Sequence, residues 1–192
     1  VFARGREQVI EPRKLWPSGL GPKGYRGRIT GCGEGRALAF ADDPGWGELL
    51  RPLFAGPDRE ASAEVLDGVV ALLARWRRSW AARPVAVVPM PSRDHARLIA
   101  SVVAHIARVG RLPVLDVLSL EGPPPAPDAA SGTRVAALLQ SLQLRADAAL
   151  PAGPLLLVDA RYRSGWTATV AAARLRDAGA TAVLPLVLQQ LP

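Results

Sequence analysis

Cysteine is almost missing from this sequence. Cys32 is the only one, so no disulfide can close within the chain and no cysteine cluster can hold zinc. Histidine is as scarce. His95 and His105 have no partner at metal-ligand spacing, and both read as ordinary helix residues, so no metal site is expected. No apolar run is long enough to span a bilayer and no signal peptide opens the chain; the expectation is a cytoplasmic protein with no membrane partner. Lysine stands only at Lys14 and Lys23, so arginine carries the formal net charge of +7. Arginine grips phosphate with a planar fork and stacks on bases, which points to nucleic acid or a phosphorylated ligand. An alanine-rich, lysine-poor chain is also what a GC-rich coding sequence writes, so charge alone assigns no function.

What is present is a core. Apolar residues make up 49% and charged residues 21% of the 192, enough to bury an interior and too little charge for a disordered chain. The length suits one domain, or one with a smaller companion. The chain starts at Val1 in mid-pattern, and a fragment of a longer polypeptide is expected.

Composition divides the chain near residue 57. Residues 1–57 are punctuated by glycine and proline, with short segments at 25–30 and 36–40 that read as strands or ordered loops. The run Asp42-Asp43-Pro44-Gly45 is a turn signal. Basic residues (Arg4, Arg6, Arg13, Lys14, Lys23, Arg26, Arg28, Arg36) outnumber acids here, which gives a small basic connector or β/loop subdomain over 1–57.

Residues 58–192 read differently. Val65, Leu66, Val69, Val70, Leu72, Leu73 and Trp76 recur at helical spacing, Gly68 lowers the propensity only slightly, and Pro84 is expected to end the helix. Residues 85–88 make a buried strand. Ser92 or Asp94 can cap a helix whose apolar face runs from Leu98 to Val109. A second strand is expected at 114–120, an irregular proline-rich loop at 122–128, and a helix at 133–142. A third strand follows at 155–158, a helix at 167–178 and a last strand at 182–188. Strands separated by helices make parallel βαβ units, so the fold class is α/β with a doubly wound, mostly parallel sheet. Ligands in such sheets bind beyond the carboxyl ends of the strands, here just after Val88 and Val158.

After Val158 the chain reads Asp159-Ala160-Arg161-Tyr162-Arg163-Ser164-Gly165-Trp166-Thr167: an acid after an apolar strand, then a hydroxyl- and glycine-bearing turn into a helix. Backbone N–H groups at such a helix start attract anions. The segment resembles the ribose-phosphate loop of type I phosphoribosyltransferases. The resemblance implies that Asp159 matches the first of two ribose-holding acids, and that Ser164, Gly165 and Thr167 match the phosphate turn. Ala160 stands in place of the second acid, and Arg161, Arg163 and Trp166 add positive charge and an aromatic ring. Restoring an acid at 160 is expected to help an enzyme. The stretch from Val87 to His95 resembles the family's pyrophosphate loop in its competence-type members, with Arg93 as the anion contact. The proline-rich segment 121–131 stands where the family has a mobile lid. The resemblance implies a doubly wound sheet of phosphoribosyltransferase type over 58–192.

A second resemblance lies in the N-terminal stretch. Glu11-Pro12-Arg13-Lys14-Leu15-Trp16-Pro17-Ser18-Gly19-Leu20, then Glu34–Leu38 and Pro44–Gly47, is similar to the C-terminal region of actinobacterial-type RecQ-family DNA helicases, whose last domain also carries a Ser-Gly-Trp-Thr turn. The resemblance implies an accessory module of an ATP-dependent helicase in DNA repair and recombination, nucleoid-associated, whose partners are single-stranded or branched DNA and the rest of the helicase chain. No Gly-x-x-x-x-Gly-Lys-Ser/Thr loop is present, so no ATP hydrolysis, catalytic residue or cofactor is assigned to this chain. The DNA contacts expected are Arg13, Lys14, Trp16, Lys23, Arg26 and Arg28, with anion binding by Asp159, Arg161, Arg163, Ser164, Gly165, Trp166, Thr167 and Arg93. Trp16 and Trp46 either stack on bases or fill a small core. Trp76 and Trp80 read as packing residues, and Arg75, Arg77 and Arg78 as a solvated face. The alternative is an active phosphoribosyltransferase using phosphoribosyl pyrophosphate and Mg²⁺. A third possibility is a protein-docking surface on the proline-rich loop.

Overall fold

The computed structural model describes residues 8–20, 25–126, 128–146 and 148–192. Its frame is a five-stranded sheet made of β1 (Gln8–Ile10), β2 (Gly35–Phe40), β3 (Ala86–Pro89), β6 (Pro154–Tyr162) and β7 (Ala182–Gln190), in the order β1-β2-β7-β6-β3. The pairs β2–β7, β7–β6 and β6–β3 are parallel, and only the edge pair β1–β2 is antiparallel. Helices α1 (Trp46–Ala55), α2 (Ala63–Trp76) and α3 (Ala96–Gly110) cover one face. Helices α4 (Ser131–Ser141) and α5 (Trp166–Asp177), with the antiparallel hairpin of β4 (Leu118–Leu120) and β5 (Leu142–Leu144), cover the other. The α/β, mostly parallel, doubly wound class is therefore observed.

Strand alternation sorts the core. Leu155 and Leu157 pack under α4 and α5, while Leu156, Val158 and Ala160 pack under α1–α3. Burial on both faces is why β3 and β6 read as continuous apolar runs instead of alternating ones.

Four expectations are corrected. The composition change near residue 57 does not divide the sheet, because β1 and β2 come from the stretch before it and β2 pairs with β7. The run 114–120 is not a strand of the central sheet: it touches it at the single bridge Val87–Val114, and its end joins β5 instead. The helix before β3 stops at Trp76 in a short 3₁₀ turn at Arg77–Ser79, well ahead of Pro84. Strand β6 does not end at Val158 but continues to Tyr162, since β7 runs equally far and keeps the ladder paired through Tyr162–Gln190.

Local chemistry explains the helix starts. Asp43 Oδ1 accepts from the N–H groups of Gly45 and Trp46, both at 2.9 Å, and so opens α1 from the predicted turn. Ser62 caps α2. For α3 the Ser92 hydroxyl accepts from His95 N–H, but the first-turn donors of Arg97 and Leu98 go to the carboxylate of Asp58. Asp94 does not cap this helix; a carboxylate supplied from the α1–α2 connection replaces it.

Candidate nucleic-acid and phosphate site

The carboxyl ends of β3 and β6 lie side by side, and Met90 N–H donates to the Val158 carbonyl at 2.8 Å. This adjacency brings residues 90–95 and 163–165 to one edge of the sheet, where ligands of doubly wound folds sit. The turn itself is short: Arg163, Ser164 and Gly165 connect β6 to α5. Gly165 adopts φ +78°, a left-handed conformation, and presents the start of α5. Thr169 ties that start down by donating its hydroxyl to the Gly165 carbonyl.

Asp159 is half-buried within the last part of β6. Loss of solvation pushes its carboxyl from the ordinary 3.8 up to about 6, although N–H donors from Ala160 and Arg161 pull it partly back. Its Oδ1 accepts from the Ala160 N–H at 2.7 Å. Ala160 is 2% exposed, inside the core under α1–α3. A carboxylate at 160 would enter that core, so a substitution there cannot simply restore a second ribose ligand, contrary to expectation. The paired acids implied for phosphoribosyl pyrophosphate and Mg²⁺ are not met by the residues present. Among the described residues, no group of three or more His, Cys, Asp or Glu side chains is placed to hold a metal.

The arginines divide into engaged and unengaged. Arg161 donates to Gln189 Oε1 at 3.2 Å and lies over the Phe54 ring, 4.2 Å from its centroid. Burial, and then the like charge of Arg163, hold its pKa below the usual value. Arg163 is exposed and has no side-chain bond among the described residues. Arg93, expected to meet an anion, donates to the Gly122 carbonyl and fastens the proline-rich loop to the β3 loop. Burial, followed by Arg161, lowers the pKa of His95, which packs edge-on against Phe54 and stands at the start of α3 instead of within it.

The N-terminal stretch folds onto this turn. Residues 14–16 and 27–29 form a small antiparallel ribbon, with Trp16 N–H donating to Gly27 O and Ile29 N–H to Lys14 O. Arg13 fixes the ribbon beside the turn: its Nε donates to Ser164 O at 2.6 Å, and its guanidinium lies 5.1 Å from the Trp166 ring centroid. Trp16 is stacked on Trp166 at 6.3 Å and meets Tyr25 edge-on at 5.2 Å, so it is half-buried packing that holds the ribbon to α5. Trp46 likewise packs, against Gly68 of α2. Lys14, Arg26 and Arg28 are exposed, without ion pairs among the described residues, and Leu15 between them is 65% exposed. Lys23 lies outside the described residues. Thr167 is half-buried in the first turn of α5.

No protein-family model matches the sequence, and no curated protein matches it. Among solved structures, the chain is similar to the adenine phosphoribosyltransferase of Leishmania tarentolae, with a TM-score of 0.48 and 15% identity over 79% of this chain and 90% of that one.

Several residues of the site carried no sequence signal. Tyr25 donates to Asp177 and receives the Arg174 guanidinium, which pins the ribbon to α5. Tyr162 donates to the Glu11 carbonyl from across the chain. These partners are about 150 residues apart, beyond the reach of any local pattern. No helix among the described residues is long and apolar enough to cross a membrane.

Proposed function

We propose that this chain is a DNA-binding accessory module of a RecQ-type DNA helicase working in repair and recombination, built on a phosphoribosyltransferase-type scaffold whose phosphate turn now faces nucleic acid. The observation that carries this reading is the Arg13 junction. It sets a ribbon bearing Lys14, Arg26 and Arg28 directly beside the turn that bears Arg163. None of those four cations is ion-paired among the described residues. Unpaired cations on a short ribbon meet phosphates without reading sequence, and the exposed Leu15 offers a base an apolar contact. The mutual repulsion of Arg161 and Arg163 is relieved when an anion sits between them.

In this reading the ligand is single-stranded or branched DNA, the module needs no cofactor, and ATP hydrolysis belongs to the remainder of a helicase chain near the nucleoid. The other reading is a transferase using phosphoribosyl pyrophosphate; against it stand Ala160, which is core where a second acid is needed, and Asp159, which accepts from its own backbone.

The test is fluorescence anisotropy on single-stranded, duplex and forked DNA across a salt series, with phosphoribosyl pyrophosphate and Mg²⁺ as competitor. Micromolar binding that weakens steeply with salt is expected. Competition would mean that the turn takes part. No binding at low salt would sink the reading, and direct binding of the small molecule would then favour the transferase.

A further inference from the structure

The second half of α2, the connector after it and the end of α3 enclose a pocket of about 540 Å³ at the amino-terminal edge of the strands, the edge opposite the phosphate turn. Its walls include Val70, Leu73, Trp80, Val109 and Leu112, with Leu156 of β6 beneath. Val109 belongs to the apolar stripe of α3 yet is 51% exposed, because the stripe runs past the core and into this hollow. Three arginines line the pocket as well, Arg77, Arg78 and Arg83, and no carboxylate among the described residues does. Arg83 donates to the Gly110 carbonyl at 3.0 Å and so answers the negative end of α3. Arg77 and Arg78 are exposed and make no side-chain bond among the described residues.

Trp80 forms part of the apolar wall. Its indole packs edge-on against Trp76, ring centroids 5.5 Å apart, which fixes its orientation. Its Nε1–H is buried and has no acceptor among the described residues.

We propose that this pocket is a docking site for a short acidic segment of a partner protein, which inserts one large apolar side chain between α2 and α3 and sets its carboxylates on Arg77 and Arg78. The volume lies within the range of pockets that enclose a small ligand or an anchoring side chain. Charge complementarity selects the sign of the partner. DNA phosphates have no use for the apolar hollow, and a neutral apolar ligand leaves the arginines without partners. The site stands apart from the DNA reading, being on the other edge of the sheet.

The test titrates the protein with a fluorescein-labelled peptide of aspartates around one central Phe, Leu or Trp. The proposal expects a Kd of about 10–100 µM for at least one of these. Alanine at the centre, or lysines for the aspartates, should weaken binding about tenfold or more, as should Val109→Asp and, separately, Arg78→Glu. Both positions are exposed, and a circular dichroism melt checks that each variant folds. In ¹⁵N NMR the Trp80 indole resonance, assigned by its loss in Trp80→Phe, should shift when peptide is added. No binding of any of the three peptides at about 1 mM overturns the proposal, as does equal binding by V109D and R78E. Displacement of the peptide by DNA, with DNA affinity itself lost in V109D, would assign the pocket to nucleic acid and also overturn it.

Discussion

Gly165 sits at φ +78°, and a Cβ there would fall 2.3 Å from the Tyr162 hydroxyl oxygen, which is itself bonded to Glu11 O. Gly165→Ala should therefore lose about 1–3 kcal/mol in urea denaturation, the sum of left-handed strain and a displaced tyrosine. The glycine was legible in the sequence as part of a turn. The tyrosine against it was not, since nothing local marks Tyr162 as its neighbour. Ala160 was legible as a missing acid, and the structure gives the reason that an acid is unwelcome: Ala160→Asp buries a carboxylate under α1–α3 and should cost at least about 2 kcal/mol. Asp159 predicts a pH dependence. Its carboxyl ionises near 6 in the fold against an ordinary 3.8, so between those values the folded chain holds a proton that the unfolded chain has lost. Stability should fall as pH rises from about 4 to about 6 and level off above. Part of Asp159 reaches solvent, so the effect should be roughly 1–2 kcal/mol, and Asp159→Asn should remove it from thermal melts taken across that range.

At the scale of elements, β3, β6 and β7 were readable because a strand buried on both faces needs an unbroken apolar run. The strand expected at 114–120 has its apolar run broken by Asp116 and Ser119, and it failed as a strand of the central sheet because apolar content does not say which sheet a segment joins. Strand β1 was missed: three residues hold no period, and what makes them a strand is pairing with β2 from 25 or more residues away. Gly68 in α2 shows tertiary packing reversing a propensity. Alanine there would favour the helix by about 1 kcal/mol in isolation. In the protein, a Cβ at 68 would lie 2.1 Å from Trp46 Cη2, so Gly68→Ala pushes the ring off the helix. A net loss of about 1–3 kcal/mol is expected, read from the urea midpoint at unchanged slope.

At the scale of the whole molecule, the two edges of the sheet divide the chemistry. The carboxyl edge carries the turn, with Arg161 and Arg163, and the basic ribbon latched to it by Arg13; the amino edge carries the apolar pocket with its arginines. The cations of the ribbon were legible in the sequence as a cluster, but their place beside the turn depends on Arg13, Trp16 and Tyr25 meeting residues of the last third of the chain. The measurement that tests the account most directly is the salt dependence of DNA binding for the parent chain and for a Lys14→Ala/Arg26→Ala/Arg28→Ala variant. None of the three side chains makes a hydrogen bond or ion pair among the described residues, so the fold should survive. The account predicts micromolar binding by the parent, and a variant whose slope of log K against log salt is shallower by about 2–3. A parent that does not bind DNA at low salt, or a variant with the same affinity and slope, would contradict it.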